Sequence, residues 1–274
     1  MLMAHSFLEE KAKEIRSNIL KLIYEGNCGH TGGSLSETDL MVALYYDVMT
    51  YRVEEPNWPL RDRFVLSKGH AVECLYCILA DVGFITKEEL KTYGKFATRL
   101  IGHPNNKIDG IEVNSGALGH GLPVAVGMAL ALKRDQLPSR VFVLLGDGEL
   151  AEGSNWEAAM AAANYELDNL YAIVDRNRLQ ISGNTEDVMK LEPLADKWRS
   201  FGFDVKEING HSFDEIIEAT LPAPNSKPHV IIASTIKGKG VDFMENQAKW
   251  HHGVPTDEEF AKAIDCLKEG NAHE

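Results

Sequence analysis

The sequence predicts an α/β fold in which a parallel sheet carries helices on both faces. Short apolar runs of strand length alternate with segments of helical periodicity along most of the 274 residues. Between residues 140 and 174, a strand, a loop, a helix and a second strand follow one another within about 35 residues, as in a βαβ unit. The sequence contains no internal repeat or long linker, so we expect one domain over residues 1–274 with its core at about 7–268.

The first half of the chain predicts three helices and one strand. Apolar residues at helical spacing predict helices at residues 7–24, at 38–48 and from the turn at 68–70 to about residue 82. A short apolar run predicts a strand at 64–67, and residues 93–113 indicate looser structure. The glycine-rich residues 29–34 predict a loop, after which Ser36, with Asp39 three residues later, is a candidate helix cap.

The second half predicts the rest of the sheet and its covering helices. Apolar runs predict a buried strand at 140–145 and a second strand at 170–174. Further α/β units predict strands at 204–208 and 229–234, and the helices of this half are expected at 152–164, 191–201, 214–221 and 257–268. The most apolar stretch, residues 117–132, is opened by the glycine-rich segment 115–121. Because it contains His120 and Pro123 and is shorter than the roughly 18 to 20 residues that cross a bilayer, we expect a buried helix there. The tail, 269–274, is expected to be loose.

Composition and charge exclude several classes of protein. The formal net charge of −13 argues against nucleic-acid binding, which needs a dense basic surface. The first 13 residues carry charges before any apolar run of signal-peptide length, so we expect a cytoplasmic protein without membrane association. Four cysteines are too few for a disulfide framework in a chain of this length. Cys74 and Cys77 fit two small apolar residues one helical turn apart better than a metal or redox pair.

Polar residues follow two strands that we expect to be neighbours. Gly146, Asp147 and Gly148 come directly after the strand at 140–145, and Asn177 comes after the next strand. Ligands of parallel sheets bind beyond the carboxyl ends of the strands, and carboxylate and amide oxygens are the ligands that Mg²⁺ and Ca²⁺ prefer. The pair therefore predicts a metal–diphosphate site. The tripeptide alone is equally consistent with an ordinary turn at the end of a strand.

Glycine precedes histidine far more often than composition predicts. Ten histidines and 23 glycines in 274 residues give an expectation of about 0.8 Gly-His pairs, whereas five occur, at His30, His70, His103, His120 and His211. Any single histidine is more often a core or surface residue. As a group, histidines in glycine loops suit ligand binding and proton transfer near neutral pH.

A loop of alternating glycine and lysine follows the last predicted strand. It spans residues 236–240 and is followed by Trp250, His251, His252 and Gly253. Such a loop can bring backbone amides and positive charge to a phosphate, although a solvated loop has the same composition equally often.

Together these motifs resemble the thiamine-diphosphate enzymes, and within them the transketolase family. Gly146-Asp147-Gly148, followed after 28 intervening residues by Asn177, is similar to the thiamine-binding signature. The resemblance implies thiamine diphosphate held through Mg²⁺, or through Ca²⁺ or Mn²⁺ as substitutes, by Asp147, Asn177 and the backbone of Leu179. Arg176 departs from the pattern, because the family usually has a second asparagine or a similar residue at that position.

The resemblance also implies roles for the remaining loops. His30, His70 and His103 would contact the substrate, His70 would also approach the diphosphate, and His251 or His252 would complete the group. The further cofactor-binding residues that it implies are Gly116, Ala117 and Leu118, against the aminopyrimidine, and Gly146 and Gly148. Glu152 and Glu157 match acidic positions that link the two active sites across the family's dimer interface.

The family's pyrimidine-binding domain, which supplies the glutamate that activates the cofactor, has no counterpart in this sequence. The chain therefore resembles the amino-terminal subunit of a split transketolase. The expected activity is transfer of a two-carbon ketol unit from a ketose phosphate to an aldose phosphate. The expected partner is a carboxy-terminal subunit, with two copies of each chain in the assembly.

Three alternatives stay open at this point. A cofactor-binding subunit of a 2-oxo acid dehydrogenase would share the Asp147 to Asn177 signature but lacks the run of Gly-His loops. A 1-deoxyxylulose-phosphate synthase carries all its domains in one chain. A non-catalytic binding protein would have no need of these intact polar residues.

Overall fold

The computed structural model describes residues 5–223 and 225–269, and the sheet in this part of the chain is parallel throughout. Its five strands are β1 (Arg63–Leu66), β2 (Val141–Gly146), β3 (Leu170–Arg176), β6 (Asp204–Asn209) and β7 (His229–Ser234). Their order across the sheet is β1-β2-β3-β7-β6. A small antiparallel hairpin joins β4 (Leu179–Gln180) to β5 (Gly183–Asn184). The predicted strands are thus confirmed, each to within two residues.

Eleven α-helices lie in the described residues. They are α1 (His5–Gly26), α2 (Thr31–Ser36), α3 (Thr38–Ala43), α4 (Val72–Val82), α5 (Lys87–Leu90), α6 (Gly121–Arg134), α7 (Gly153–Asn164), α8 (Thr185–Val188), α9 (Leu194–Ser200), α10 (Phe213–Ala219) and α11 (Asp257–Glu269). A π-helical turn, Leu44–Val48, extends α3, and 3₁₀ turns occur at Gly69–Ala71, Gly148–Ala151 and Ala248–Trp250.

Alternate residues of each strand face two separate cores, because successive side chains of a strand point to opposite faces of the sheet. On β2, Phe142 and Leu144 pack into a core shared with α1, α3, α4 and α10. Val143 and Leu145 pack into a second core shared with α6, α7 and α9. Both faces of the sheet are covered, which confirms the predicted α/β class and explains the uninterrupted apolar runs.

The predicted loop at 29–34 is wrong in its second half, where α2 begins at Thr31. All six residues of α2 are buried. A Cβ atom on Gly32 would lie 2.8 Å from the Trp250 carbonyl oxygen, so glycine permits close packing rather than a loop. Tertiary packing therefore overrides the poor helix propensity of Thr-Gly-Gly-Ser.

The predicted cap of the next helix is also wrong. Glu37 precedes α3, and no side-chain capping bond forms there. Ser36 Oγ donates instead to the Asp175 carboxylate at 2.6 Å, and Asp39 binds the guanidinium of Arg16 at 2.7 and 2.9 Å. These side chains are recruited by long-range partners that sequence spacing does not reveal.

The apolar stretch 117–132 forms a helix only from Gly121 onward, and it is buried on one face. Leu122, Ala125 and Ala129 pack into the core, whereas Val124 is 39% exposed. The prediction of a buried helix is therefore correct for one face of α6 only. None of the described helices is long and apolar enough to cross a membrane.

The sequence does not predict three short elements, α5, α8 and the β4–β5 hairpin, because they carry no clear periodic signal.

The helix predicted at 191–201 is shorter in the structure, where α9 begins at Leu194. Residues 93–113 form turns, as expected. The expected loose tail lies outside the described residues except for Glu269, the last residue of α11, and the assignment of the chain to one domain stays a prediction.

Candidate functional site

The strands end at a cleft that gathers polar side chains from four loops. Lys68 follows β1, Asp147 follows β2, Asn177 follows β3 and Lys237 follows β7. Because parallel strands end at the same edge of a sheet, all four side chains line one cleft, about 670 Å³ in empty volume and partly open to solvent. Polar side chains thus converge at the carboxyl ends of the strands, where the sequence predicts the site, and ligand binding there stays a prediction.

Asp147 is fixed at the end of β2 with 2% of its surface exposed. Its Oδ1 accepts from the Gly148 amide at 2.7 Å, and its Oδ2 accepts from the Arg178 amide at 2.6 Å and the Arg176 guanidinium at 3.1 Å. Burial, together with the charge of Asp175, raises the pKa of Asp147. These hydrogen bonds fix the orientation of the carboxylate, which still has lone pairs free to bind a cation. A bound cation would offset the free-energy cost of burying the carboxylate.

Arg176, the residue at which the chain departs from the thiamine-binding signature, hydrogen-bonds to the Asp147 carboxylate. Its guanidinium also donates to Thr185 Oγ1 at 2.6 Å and to the carboxylates of Glu186 and Glu192 at 2.9 Å. The arginine therefore neutralises one side of the Asp147 carboxylate and ties it to the segment after the β4–β5 hairpin.

Asn177 lies beside Asp147 with its amide direction fixed by hydrogen bonds. Its Nδ2 donates to the Asp175 carboxylate at 3.2 Å and to Ser36 Oγ at 3.4 Å, and its Oδ1 accepts from the Leu179 amide at 3.1 Å. The Leu179 carbonyl also lies at the cleft, where Lys237 Nζ donates to it at 3.0 Å. The three predicted oxygen ligands thus line the same cleft.

Buried charges lie beneath this end of the cleft. Lys68 Nζ contacts the Asp175 carboxylate at 2.5 Å, the Glu37 carboxylate at 3.1 Å and the Gly33 carbonyl oxygen at 3.0 Å. Burial raises the pKa of Glu37 to about 8. Burial alone would also raise the pKa of Asp175, but Lys68 lowers it below its ordinary value. A charged lysine therefore stabilises the floor of the site.

Lys237 comes from the glycine–lysine loop and has 2% of its surface exposed. Its ammonium donates to His251 Nδ1 at 3.1 Å as well as to the Leu179 carbonyl. Burial, together with the charge of Lys68, lowers its pKa to about 8. An anion in the cleft would favour the charged form of this lysine.

Four histidine rings form a group beside these oxygen ligands, and two of them, His70 and His251, line the cleft. The His30 ring centroid lies 5.0 Å from that of His70, 5.7 Å from that of His251 and 4.6 Å from that of His252. The His70 and His251 centroids are 5.2 Å apart. Both members of the His251–His252 pair, which the sequence could not distinguish, therefore adjoin His30.

The imidazoles of His30, His70 and His251 are neutral at physiological pH. Burial, with His252 close by, lowers the pKa of His30 to about 4. Burial and Lys68 lower the pKa of His70 to about 2, and burial and Lys237 lower that of His251 to about 3. A neutral imidazole can accept a proton at one nitrogen and donate one from the other, which is the chemistry that the sequence predicted.

His103 reaches the same group from the loop that follows α5. Burial lowers its pKa, and it is close enough to His30 to influence the pKa of that ring. Its ring lies directly against Gly116, where φ is +128° and an added Cβ would be 2.3 Å from His103 Cδ2. Gly116 is therefore required for the position of His103.

Acid should destabilise the folded chain through these histidines. A histidine with an unfolded pKa near 6.5 and a lowered folded pKa binds more protons when unfolded, so stability is lost as pH falls from 6.5 towards 4. Each such group adds up to about 1.4 kcal/mol per pH unit, less where it is partly exposed. Urea unfolding between pH 7 and pH 4 measures this slope.

Replacing His70 by asparagine should flatten that pH dependence, because His70 has the largest shift of the three rings with a stated pKa. Carboxylates such as Asp39, whose pKa is also lowered, contribute equally to the pH dependence of both proteins. Their contribution therefore cancels when the slope of the variant is compared with that of the wild type. An identical slope in the two proteins would contradict the lowered pKa of His70.

Some of the residues proposed from the sequence lie outside the cleft. Leu118 lines it, but Ala117 is exposed beside it. Glu152 and Glu157 are exposed at the start of α7. Their expected place at a dimer interface stays a prediction.

Two of the five Gly-His histidines are also elsewhere. His120 is exposed and precedes α6. His211 lies between two partners, since its Nδ1 is 2.6 Å from the Asp39 carboxylate and its Nε2 accepts from the Ile236 amide at 2.9 Å. His211 therefore supports the loop that carries Lys237.

Sequence reasoning missed the roles of Lys68 and Asp175 as buried charges of the site. The sequence patterns place Asp175 only at a strand end and Lys68 only in a loop. A charged residue at the carboxyl end of an otherwise apolar parallel strand was the available signal, since such positions are costly to bury without a partner.

The cysteine pair shows no sign of metal binding. Cys74 and Cys77 are buried free thiols on α4, as the apolar interpretation predicts. The described residues contain no cluster of three or more histidine, cysteine or acidic side chains arranged to hold a metal. The oxygen set at Asp147 is of a different kind, because two of its three members are an amide and a backbone carbonyl.

Comparison with known proteins identifies the family of the chain. The family model "Transketolase, thiamine diphosphate binding domain" matches residues 8–269. An apulose-4-phosphate transketolase subunit of Phocaeicola vulgatus is 51% identical over 94% of this chain and 92% of its own. A 6-deoxy-6-sulfo-D-fructose transketolase subunit of a Clostridium species is 43% identical over 96% of this chain and 97% of its own. The crystal structure of transketolase from Campylobacter jejuni superposes with a TM-score of 0.92 at 32% identity.

Fold and family model together define the class of protein, an α/β enzyme domain that binds thiamine diphosphate. The chain belongs to the transketolase family, whose members are transferases. The match covers 97% of this chain but only 43% of the Campylobacter transketolase. The predicted family and the predicted thiamine-diphosphate-binding part are confirmed, and the dehydrogenase and synthase alternatives are not favoured.

Proposed function

We propose that this chain is the diphosphate-binding subunit of a transketolase assembled from two different polypeptides. The assembled enzyme would transfer a two-carbon ketol unit from a ketose phosphate to an aldose phosphate. One observation carries the proposal: His70 and His251 line the same cleft as the oxygen set at Asp147, and the His30 ring adjoins both of them. An anion held by the oxygen set through a cation would therefore lie next to several proton carriers.

The cleft fits a metal-bound diphosphate. Asp147, Asn177 and the Leu179 carbonyl offer the oxygen ligands that suit Mg²⁺, with Ca²⁺ or Mn²⁺ as substitutes. Glycine at position 148 lets the backbone after Asp147 pack closely against Gln180, since an added Cβ would lie 3.0 Å from Gln180 Cβ. The Lys237 ammonium supplies positive charge beside these oxygens. We assign the metal and diphosphate to these residues and Gly146, with Gly116 to Leu118 towards the aminopyrimidine.

When bound, thiamine diphosphate supplies the electron sink for cleavage of the bond beyond the ketose carbonyl. The protein would supply orientation and proton transfer. His30, His70 and His103 would exchange protons with hydroxyl and carbonyl oxygens of the sugar, and their lowered pKa values support this role because they keep the rings neutral. His251, which accepts from Lys237 at Nδ1, would present its Nε2 proton to the substrate.

The partner would be a carboxy-terminal subunit that supplies the pyrimidine-binding domain and its activating glutamate. Relatives of matching length are named as one lettered subunit of a transketolase, which supports the existence of a complementary second subunit. Exposed apolar side chains at Val124, Met160 and Ile181 offer surface for such contacts. We propose two copies of each subunit, located in the cytoplasm, with Glu152 and Glu157 near the interface between copies.

A ketol-transfer assay tests this function. The chain alone and the chain mixed with the product of the neighbouring reading frame are given xylulose 5-phosphate, ribose 5-phosphate, thiamine diphosphate and Mg²⁺. We expect activity only in the mixture, because the proposed partner would supply the pyrimidine-binding domain. Full activity of the chain alone would contradict the proposed division of the site.

The donor sugar is tested in the same mixture. The relatives are named for apulose 4-phosphate and for 6-deoxy-6-sulfo-D-fructose, two ketoses with different anionic ends. Comparing kcat/KM for xylulose 5-phosphate with that for these two donors identifies the preferred class. Product formed oxidatively from a 2-oxo acid, with none from any ketose, would overturn the transketolase assignment.

A further inference from the structure

Helix α4 connects three of the site histidines. It begins immediately after the Gly69–Ala71 turn that carries His70. Two of its polar side chains, Glu73 and Tyr76, are three residues apart and therefore lie on the same face of the helix. Each is bound to a different loop of the histidine group.

Glu73 is a buried carboxylate with none of its surface exposed. Its Oε1 accepts from the backbone amide of His30 at 3.2 Å and from the Tyr93 hydroxyl at 2.6 Å, and its Oε2 accepts from Ser34 Oγ at 2.7 Å. The donors belong to two separate segments, the start of α2 with the residue before it and the loop that begins at Tyr93. Gly29 packs on the same carboxylate, since an added Cβ would lie 2.7 Å from Glu73 Oε1.

Tyr76 binds the backbone of the loop that carries His103. Its hydroxyl lies 3.0 Å from the Ile101 carbonyl oxygen and 2.9 Å from the His103 carbonyl oxygen. Because Tyr93 begins the segment that leads to His103, Glu73 anchors the start of this loop and Tyr76 anchors its end.

We infer that Glu73 and Tyr76 are positioning residues that hold His30 and His103 at a fixed distance from His70. The inference rests on the proposed function only where those histidines are said to contact substrate. The burial of Glu73 supports it, because a well-packed apolar side chain of similar volume would be as stable as a buried charge but could not bind the His30 amide.

Glu73→Met and Glu73→Gln test the first half of the inference. Methionine keeps the volume of the side chain and removes both acceptors, whereas glutamine keeps one oxygen for the His30 amide and can donate its amide to Ser34 Oγ. We expect Glu73→Met to lower kcat/KM of the assembled enzyme by about 10-fold to 100-fold, with thiamine diphosphate affinity unchanged. Glu73→Gln should restore most of the loss.

Asp62→Leu is the matched control for lost stability. Asp62 is another buried carboxylate that accepts from two backbone amides, of Thr50 and Arg140, but it lies at the opposite end of the sheet. Its replacement should lower the unfolding temperature without changing kcat/KM of the folded enzyme. Glu73→Met behaving in the same way would overturn the inference.

Tyr76→Phe tests the second half with a smaller change, so the variant remains informative if Glu73→Met does not fold. Tyr51→Phe is its control, because the Tyr51 hydroxyl also binds a backbone carbonyl, that of Tyr45 at 2.7 Å, in a region away from the cleft. We expect Tyr76→Phe, and not Tyr51→Phe, to lower kcat/KM.

Ring ¹H–¹⁵N spectra of the full chain separate this inference from the proposed function. The ring signals of His30 should shift in Glu73→Met, those of His103 should shift in Tyr76→Phe, and the signals of His211 should stay unchanged in both. Absence of ketol transfer in the wild-type mixture would refute the proposed function alone. Unchanged His30 and His103 signals would refute the positioning role whatever the activity.

Discussion

Asp147→Ala should abolish metal-dependent binding of thiamine diphosphate while the chain still folds. Outer-shell partners of a metal typically contribute about 10-fold to 100-fold in metal affinity, so loss of a direct ligand should cost more. The chain should tolerate the change, because Arg176 keeps Thr185, Glu186 and Glu192 as partners and is not left as an unpaired buried charge.

Calorimetric titration of the assembled pair with thiamine diphosphate, at fixed Mg²⁺, measures this loss. Asp196→Ala is the control, because that carboxylate is 68% exposed and binds only the neighbouring Arg199 among the described residues. We expect wild-type affinity in the control. Normal cofactor affinity in Asp147→Ala, with normal dependence on Mg²⁺, would contradict the proposed metal site.

Gly116→Ala should remove nearly all activity without unfolding the chain. Its φ of +128° disfavours any side chain, and the added Cβ would overlap the His103 ring, 2.3 Å from Cδ2. Either the ring or the backbone must move, and a displacement of about 1 Å at a reacting group can cost about 100-fold in rate. The measurement is kcat/KM of the assembled pair, with circular dichroism to confirm folding.

Gly102→Ala is the matched control for that variant. Gly102 directly precedes His103, has no φ in the left-handed region, and has no atom within 4 Å of an added Cβ among the described residues. The same chemical change in the same loop should therefore be silent. Equal losses in both variants would mean that the loop is sensitive to any substitution and that the contact of Gly116 with His103 is not the cause.

The centre of the parallel sheet could be predicted from the sequence because its strands β2 and β3 are buried on both faces. Residues 141–145 and 170–174 are uninterrupted apolar runs, and this pattern depends only on local sequence. The helix α2 could not be predicted in the same way. Its Thr-Gly-Gly-Ser sequence disfavours a helix, and only contacts such as that between Gly32 and Trp250 make it stable.

The candidate site divides along the same line. Asp147 and Asn177 could be predicted because both follow strands whose ends must meet at one edge of the sheet. Glu73 could not, since nothing in its sequence context distinguishes it from an exposed glutamate at the start of a helix. Its partners, His30, Ser34 and Tyr93, are 43, 39 and 20 residues away along the chain.

The sequence by itself determined the fold class, the edge of the sheet where polar side chains converge and the residue types available there, because strand burial and strand ends follow from local patterns. Only the tertiary structure decided which Gly-His histidines form one group, which charges lie beneath Asp147 and Asn177, and which side chains fix the loops. Those outcomes depend on distances between segments far apart in the chain, and hydrogen bonds between such segments leave no periodic signal in the sequence.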